Sequence, residues 1–248
     1  MRRSLHIGLN AVDPAGYNGW PGELNACVDD ARCLAALCAQ HGFEAEALLN
    51  EKATLENVGE AIADLALNAL PGDAVVISFS GHGGRAPGWS WSGYTETLCF
   101  WDGVLTDSQL RSRLEGFRGG VSVVVILDAC HSGGMDRALP AARVRAMPRF
   151  VSERIAPPNI QLPVRALTAS VLFLTACRAD EVALDGFTNG AFTGSLLRAR
   201  DEFPNAIVPT WAEWFGATAS LMLREHAPQH PQAIRLGRDQ TWNQRINA

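Results

Sequence analysis

Apolar and polar positions alternate along this chain in blocks that change period. Leu5–Asn10 (LHIGLN) and Glu44–Asn50 (EAEALLN) read as short strands. Asp73–Ser80 (DAVVISFS), Ser122–Asp128 (SVVVILD) and Val171–Thr175 (VLFLT) are near-continuous apolar runs, the pattern of central parallel strands covered on both faces. Between them the period lengthens to that of a helix. Val28, Ala31, Leu34, Ala35 and Cys38 share one stripe from about Cys27 to His41, closed by His41-Gly42. A second helix runs through Val58, Ile62, Leu65 and Leu70, with Thr54 as its N-cap and Pro71-Gly72 as its stop. Phe192–Arg200 and Trp211–Glu225 fit two more helices, and PQAIRLG a last strand. Strands alternating with helices predict an α/β fold, a mostly parallel sheet with helices on both faces.

Composition narrows this little further. The 248 residues are 47% hydrophobic and 19% charged, enough for a sizeable core. A net charge of −5 argues against a nucleic-acid binder, which needs a basic face to neutralise phosphates. No apolar run approaches the ~18 residues of a membrane span, and the start MRRSLHIGLN is too short in apolar residues for a signal peptide. A cytoplasmic location with no membrane partner is therefore expected. The six cysteines (27, 33, 38, 99, 130 and 177) show no zinc spacing and are expected as reduced thiols.

One stretch departs from the alternation. Residues 135–169 hold five of the 13 prolines and six arginines (Arg137, Arg143, Arg145, Arg149, Arg154, Arg165) against two acids, Asp136 and Glu153. A loop of this length inside a compact domain signals function or disorder, and it reads here as a mobile basic linker.

The chemistry sits where two apolar strands end: Ser80-Gly81-His82-Gly83-Gly84 and Asp128-Ala129-Cys130-His131-Ser132-Gly133-Gly134. In an open α/β sheet, ligands bind at the carboxyl ends of the strands. Adjacent strands would set His82 beside Cys130, a base beside a nucleophile, and the glycine exits let the N–H groups of Gly83 and Cys130 serve as an oxyanion hole. That constellation fits acyl transfer, most simply peptide hydrolysis. His131, next to Cys130 on an extended chain, should point to the other face. Asp128 shares the face of Cys130, and Ser80 that of His82. A carboxylate so placed opposes thiolate formation, so Asp128 is better read as the anion for a cationic substrate group, Arg or Lys before the cut bond.

These motifs resemble the caspase-hemoglobinase superfamily of clan CD cysteine peptidases, peptidase C14, in its bacterial metacaspase-like (orthocaspase) branch. Ser80–Gly83 is similar to the histidine box and Asp128–Gly133 to the nucleophile box. Leu24–Ala31 (LNACVDDA) resembles the opening of the first helix. Thr175–Glu181 with Gly190–Thr193 resembles the start of the small subunit. The likeness runs from about residue 5 to 225. It implies the caspase-hemoglobinase fold with a six-stranded sheet, as one catalytic domain over 1–248. Its large-subunit-like part is 1–134, its activation linker 135–169 and its small-subunit-like part 170–248. It implies a His82/Cys130 dyad and a basic-specific pocket from Cys27, Asp30, Ser80 and Asp128. Many metacaspases need calcium, and Asp102, Asp107 and Asp136 are the implied ligands. No other cofactor is implied. The linker arginines become processing sites, for the enzyme itself or an upstream activating protease, in a zymogen with a role in defence or cell death. Protein or peptide substrates are the expected partners. Two alternatives stand beside this: a catalytically silent caspase-like scaffold that binds a protein partner, and a flavodoxin-like nucleotide binder. The latter lacks a phosphate-binding glycine loop after the first strand.

Overall fold

The computed structural model describes residues 1–87, 94–130, 144–153, 166–204, 207–225, 227–237 and 241–247. The strands β1 (Arg2–Gly8), β2 (Glu44–Leu49), β3 (Ala74–Ser80), β7 (Ser122–Asp128), β8 (Ser170–Thr175) and β9 (Gln232–Gly237) form one sheet in the order β2-β1-β3-β7-β8-β9. All neighbours are parallel except β8 and β9. A small antiparallel sheet, β4 (Gly83–Pro87), β5 (Tyr94–Cys99) and β6 (Val104–Thr106), continues directly from the end of β3.

Each central strand sends alternate side chains to opposite faces. Leu5, Ile7, Val75, Ile77, Val123 and Val125 pack under α2 (Leu55–Asn68) and α3 (Asp107–Leu114). Val76, Val124, Ile126 and Leu172 pack under α1 (Cys27–Gln40), α5 (Ala191–Arg200) and α6 (Trp211–Arg224). The Thr54 hydroxyl accepts from Asn57 N at 3.1 Å, the cap expected of that residue. Among the described residues no helix is long and apolar enough to cross a membrane.

Three expectations shift. β1 starts at Arg2 and ends at Gly8 rather than spanning Leu5–Asn10, because Arg2 and Arg3 pair with Ala74 and Val75. α2 ends at Asn68, leaving Leu70 exposed. The stretch read as a mobile linker is not loose throughout. Residues 144–153 are built into the fold, ending in the short helix α4 (Arg149–Ser152).

One polar pair is sealed inside the sheet. His6 Nδ1 and Ser78 Oγ lie 2.8 Å apart on neighbouring strands, and burial pushes the pKa of His6 down to about 3. The folded chain thus keeps the ring neutral, whereas the unfolded chain takes up its proton below about pH 6.5. Stability should therefore fall by about 1.4 kcal/mol per pH unit from this residue between pH 6.5 and about 3. His6→Asn should flatten the acid limb of a stability curve from urea unfolding by about that slope. An unchanged limb would assign the acid sensitivity elsewhere.

Candidate active site

β3 and β7 pair so that Ser80 faces Asp128 in register. His82 and Cys130 each follow two residues later, and both are buried. Gly83 fits here only as glycine, since a Cβ would lie 2.0 Å from the carbonyl oxygen of Cys130. The His82 ring is held from the loop before α1. Its Nε2 meets the Gly22 carbonyl at 3.1 Å, and the half-buried Trp20 ring lies 4.6 Å away, tilted by 56°. Nδ1 makes no hydrogen bond. Burial pushes the His82 pKa down to about 4, with the Gly22 carbonyl and the Ala146 backbone opposing that shift. Cys130 Sγ accepts from Ala183 N at 2.7 Å, and burial raises its pKa, with Cys177 and Asp128 adding to the shift. Both shifts favour the neutral forms, thiol and imidazole.

Arg145, one of the six basic residues of the supposed linker, lies beside this pair with no exposed surface. Its carbonyl oxygen accepts from Gly83 N at 3.0 Å and Cys130 N at 3.2 Å. The two amides read as an oxyanion hole therefore converge on one carbonyl. Its guanidinium runs down between α1 and the strand ends. Nη1 donates to Ser80 Oγ at 2.7 Å and to the Asp128 carbonyl at 3.2 Å, and Nη2 donates to Asp30 Oδ2 at 2.7 Å. Nη2 and Nε both donate to Asp185 Oδ1, at 3.0 and 3.3 Å. Asp128 Oδ1 is 3.0 Å from Nη1, a charge contact without aligned hydrogen-bond geometry.

The acids are themselves held. Thr193 donates its N–H and hydroxyl to Asp128 Oδ2, and Asn189 Nδ2 and Gly190 N donate to Asp30 Oδ1. Asn25 and Ala26 N–H groups donate to Asp185. Burial raises the pKa of Asp128 against the lowering effect of Arg145, while the three carboxylates together hold Arg145 charged. Cys27 is buried in the same cluster, its thiol pushed up to about 12 by burial. Gly190 lines the guanidinium at close range: a Cβ there would be 2.6 Å from Arg145 Cζ.

The backbone on either side of Arg145 lies as an extended ligand would. Val144 bridges antiparallel to Leu184, and Arg145 N donates to Ala183 O at 3.0 Å. Met147 N donates to Gly83 O at 2.7 Å.

Of the residues named from sequence, Asp30, Ser80 and Asp128 meet on one guanidinium, with Cys27 in the same cluster, and Gly83 and Cys130 meet on one carbonyl. Asp185 was missed. It sits in a loop where nothing in the spacing marks it, and only the fold brings it to α1. Gln229 was missed too: its side chain bonds Leu184 N and Ala176 O, fixing the loop that carries Ala183 and Asp185. The remaining linker arginines divide. Arg149 opens α4, while Arg137, Arg143, Arg154 and Arg165 lie outside the described residues, as do His131 and Asp136.

Of the implied calcium ligands, Asp136 lies outside the described residues, and the other two have partners of their own. Asp102 Oδ1 accepts from Leu55 N, and Asp107 Oδ1 accepts from the Thr95 hydroxyl and Ser108 N. Thr106 caps α3, with Asp107 in its first turn. Among the described residues no group of three or more His, Cys, Asp or Glu could hold a metal ion, and no step is routed through calcium.

Comparison with known proteins agrees with this fold. The family model of the caspase domain, Peptidase_C14, matches residues 5–207. Metacaspase-4 of Arabidopsis thaliana is 30% identical over 148 residues, covering 54% of this chain and 34% of that protein. The chain thus spans about a third of the length of that relative. Metacaspase-1 of Pyricularia oryzae is 28% identical over 283 residues, covering 100% of this chain and 67% of that protein. Among solved structures, protein GSU0716 from Geobacter sulfurreducens matches with a TM-score of 0.87 at 33% identity, over 98% of this chain and 97% of that one. The chain belongs to the caspase-domain family of cysteine peptidases, peptidase C14, and is similar within it to metacaspases.

Proposed function

We propose that the protein is a cysteine endopeptidase that cleaves after Arg with a His82/Cys130 dyad, and that the first bond it cuts is its own Arg145–Ala146. The observation that carries this is Arg145 itself, whose carbonyl oxygen lies on two amide donors while its guanidinium meets three carboxylates.

In this reading His82 takes the thiol proton as Cys130 Sγ bonds to the Arg145 carbonyl carbon. The negative charge that develops on the oxygen is stabilised by the Gly83 and Cys130 N–H groups. The C–N bond breaks as His82 gives its proton to the leaving amine, and water then hydrolyses the thioester. Arg is preferred over Lys because the guanidinium uses three nitrogens on oxygens from four residues, a fork an ammonium cannot reproduce. The acids would repel a substrate with Asp at that position.

The test uses the purified protein and Cys130→Ala on peptides ending in Arg, Lys or Asp before a coumarin leaving group, with calcium and with chelator, and with intact mass recorded alongside. Arg cleavage should fall by more than about 10³-fold in the variant, and only the active chain should be cut after Arg145. Cleavage after Asp would overturn the pocket. Equal turnover by the variant would overturn the dyad. A protein without turnover whose Cys130 also resists iodoacetamide after linker proteolysis would be the scaffold of the alternative reading.

A further inference from the structure

The chain following Arg145 is anchored independently of the bond proposed to be cut. Met147 has no exposed surface. Its side chain packs with Val12, Tyr17, Cys99, Val104 and Val151, and Trp20 leans on the same cluster. Its Sδ lies 3.9 Å from Cys99 Sγ, and its N–H is bound to the Gly83 carbonyl at 2.7 Å. Beyond it the Pro148 carbonyl accepts from Val151 N and Ser152 N, both at 3.0 Å, which starts α4. None of these contacts involves Arg145. Breaking Arg145–Ala146 therefore removes one covalent link and leaves every anchor of residues 147–152 in place.

We propose that Met147 is a product anchor that makes self-cleavage reversible: after the cut, the Ala146 amine stays beside the thioester and competes with water for it. The inference rests on the function proposed above. In the forward step the Cys130 S–C bond forms, the Arg145 C–N bond breaks, and the proton on His82 goes to the Ala146 nitrogen. In the return step the Ala146 amine attacks the thioester carbon, a C–N bond forms and the C–S bond breaks. The surplus amine proton passes to His82 and then to the sulfur. A nucleophile held in place acts at a very high effective concentration, on the order of 10⁵ M or more for well-oriented pairs, against about 55 M for water. Rejoining thus outruns hydrolysis for as long as Met147 stays seated. The enzyme is then held by a segment that behaves as a bound inhibitor cut and resealed in place, and release depends on unseating it.

The experiment compares the wild type with Met147→Leu, Met147→Ala and Val151→Ala, the last loosening the same cluster from outside the cleft. Each is followed by denaturing gel and mass, and each is assayed on an arginyl coumarin peptide. Wild type and Met147→Leu should hold intact chain together with a 1–145 fragment one water lighter than the free acid, the Cys130 thioester, while hydrolysed chain accumulates at least about ten-fold more slowly than in the loosened variants. Met147→Ala and Val151→Ala should go to complete cutting, with at least about ten-fold less intact chain remaining. If Met147→Ala fails to fold, Val151→Ala decides. Complete, one-way cutting of the wild type would overturn the anchor, as would an unchanged mixture in the loosened variants. Peptide hydrolysis with no cut after Arg145 in any variant would sink the anchor and the self-cleavage, and leave the arginine-specific peptidase standing. A wild type that neither cuts itself nor hydrolyses the peptide would sink the proposed function, and the anchor with it.

Discussion

Replacing Asp128 by Asn is expected to lower kcat/KM for arginyl peptides by about 10²-fold while leaving the fold intact. Removing one partner of a buried ion pair commonly costs ~3–5 kcal/mol, and each 1.4 kcal/mol is a factor of ten. The lower end applies because three carboxylates share one cation, so losing one also relieves repulsion among the rest. An Asn keeps the shape and can still accept from Thr193 N, which donates to Asp128 at 3.0 Å. The check is a pair of substrates, arginyl and its uncharged isostere citrullinyl. The wild type should separate them strongly, and Asp128→Asn should do so less. Equal discrimination by both proteins would remove Asp128 from the specificity pocket.

A larger effect is expected at Arg145. Arg145→Ala leaves Asp30, Asp128 and Asp185 buried with neutral donors in place of the guanidinium that all three contact. A loss of ~3–5 kcal/mol of stability follows. A diffusible guanidinium such as agmatine should restore part of it, raising Tm in the variant and not in the uncut wild type. The variant should also hydrolyse arginyl peptides from the moment of mixing, without the delay that the seated segment imposes on the wild type. It should show no cut at position 145. A variant whose Tm ignores agmatine would contradict the view that these acids form a site for a free cation.

Most of the framework was legible because burial on both faces of a sheet writes itself as unbroken apolar runs. β3, β7 and β8 are where those runs lie, and the polar clusters that end β3 and β7 stood out against them. The small sheet β4–β6 was not legible. β4 starts with two glycines, and β6 is three residues long. Asp185 was hidden for a different reason: a loop acid gains its meaning only from Asn25, Ala26 and Arg145, all distant in sequence. Composition marked six arginines as equivalent. The Val144–Leu184 bridge and the Met147 anchor on either side hold Arg145 among its three carboxylates. The same packing is why the supposed loose linker is ordered there.

Gly190 adds a steric rule to the electrostatic one. In the proposed pocket the three acids set the sign of what enters, but a single missing methyl sets its thickness, because a Cβ would press 2.6 Å from Arg145 Cζ and from both terminal nitrogens. The pocket is therefore a slot about one planar group deep, closed on that side by backbone. A flat delocalised cation slides in where a bulkier cation such as a trimethylated ammonium collides with the wall. Two separate filters act on the same side chain, and a change at Gly190 would alter the second while leaving every carboxylate in place.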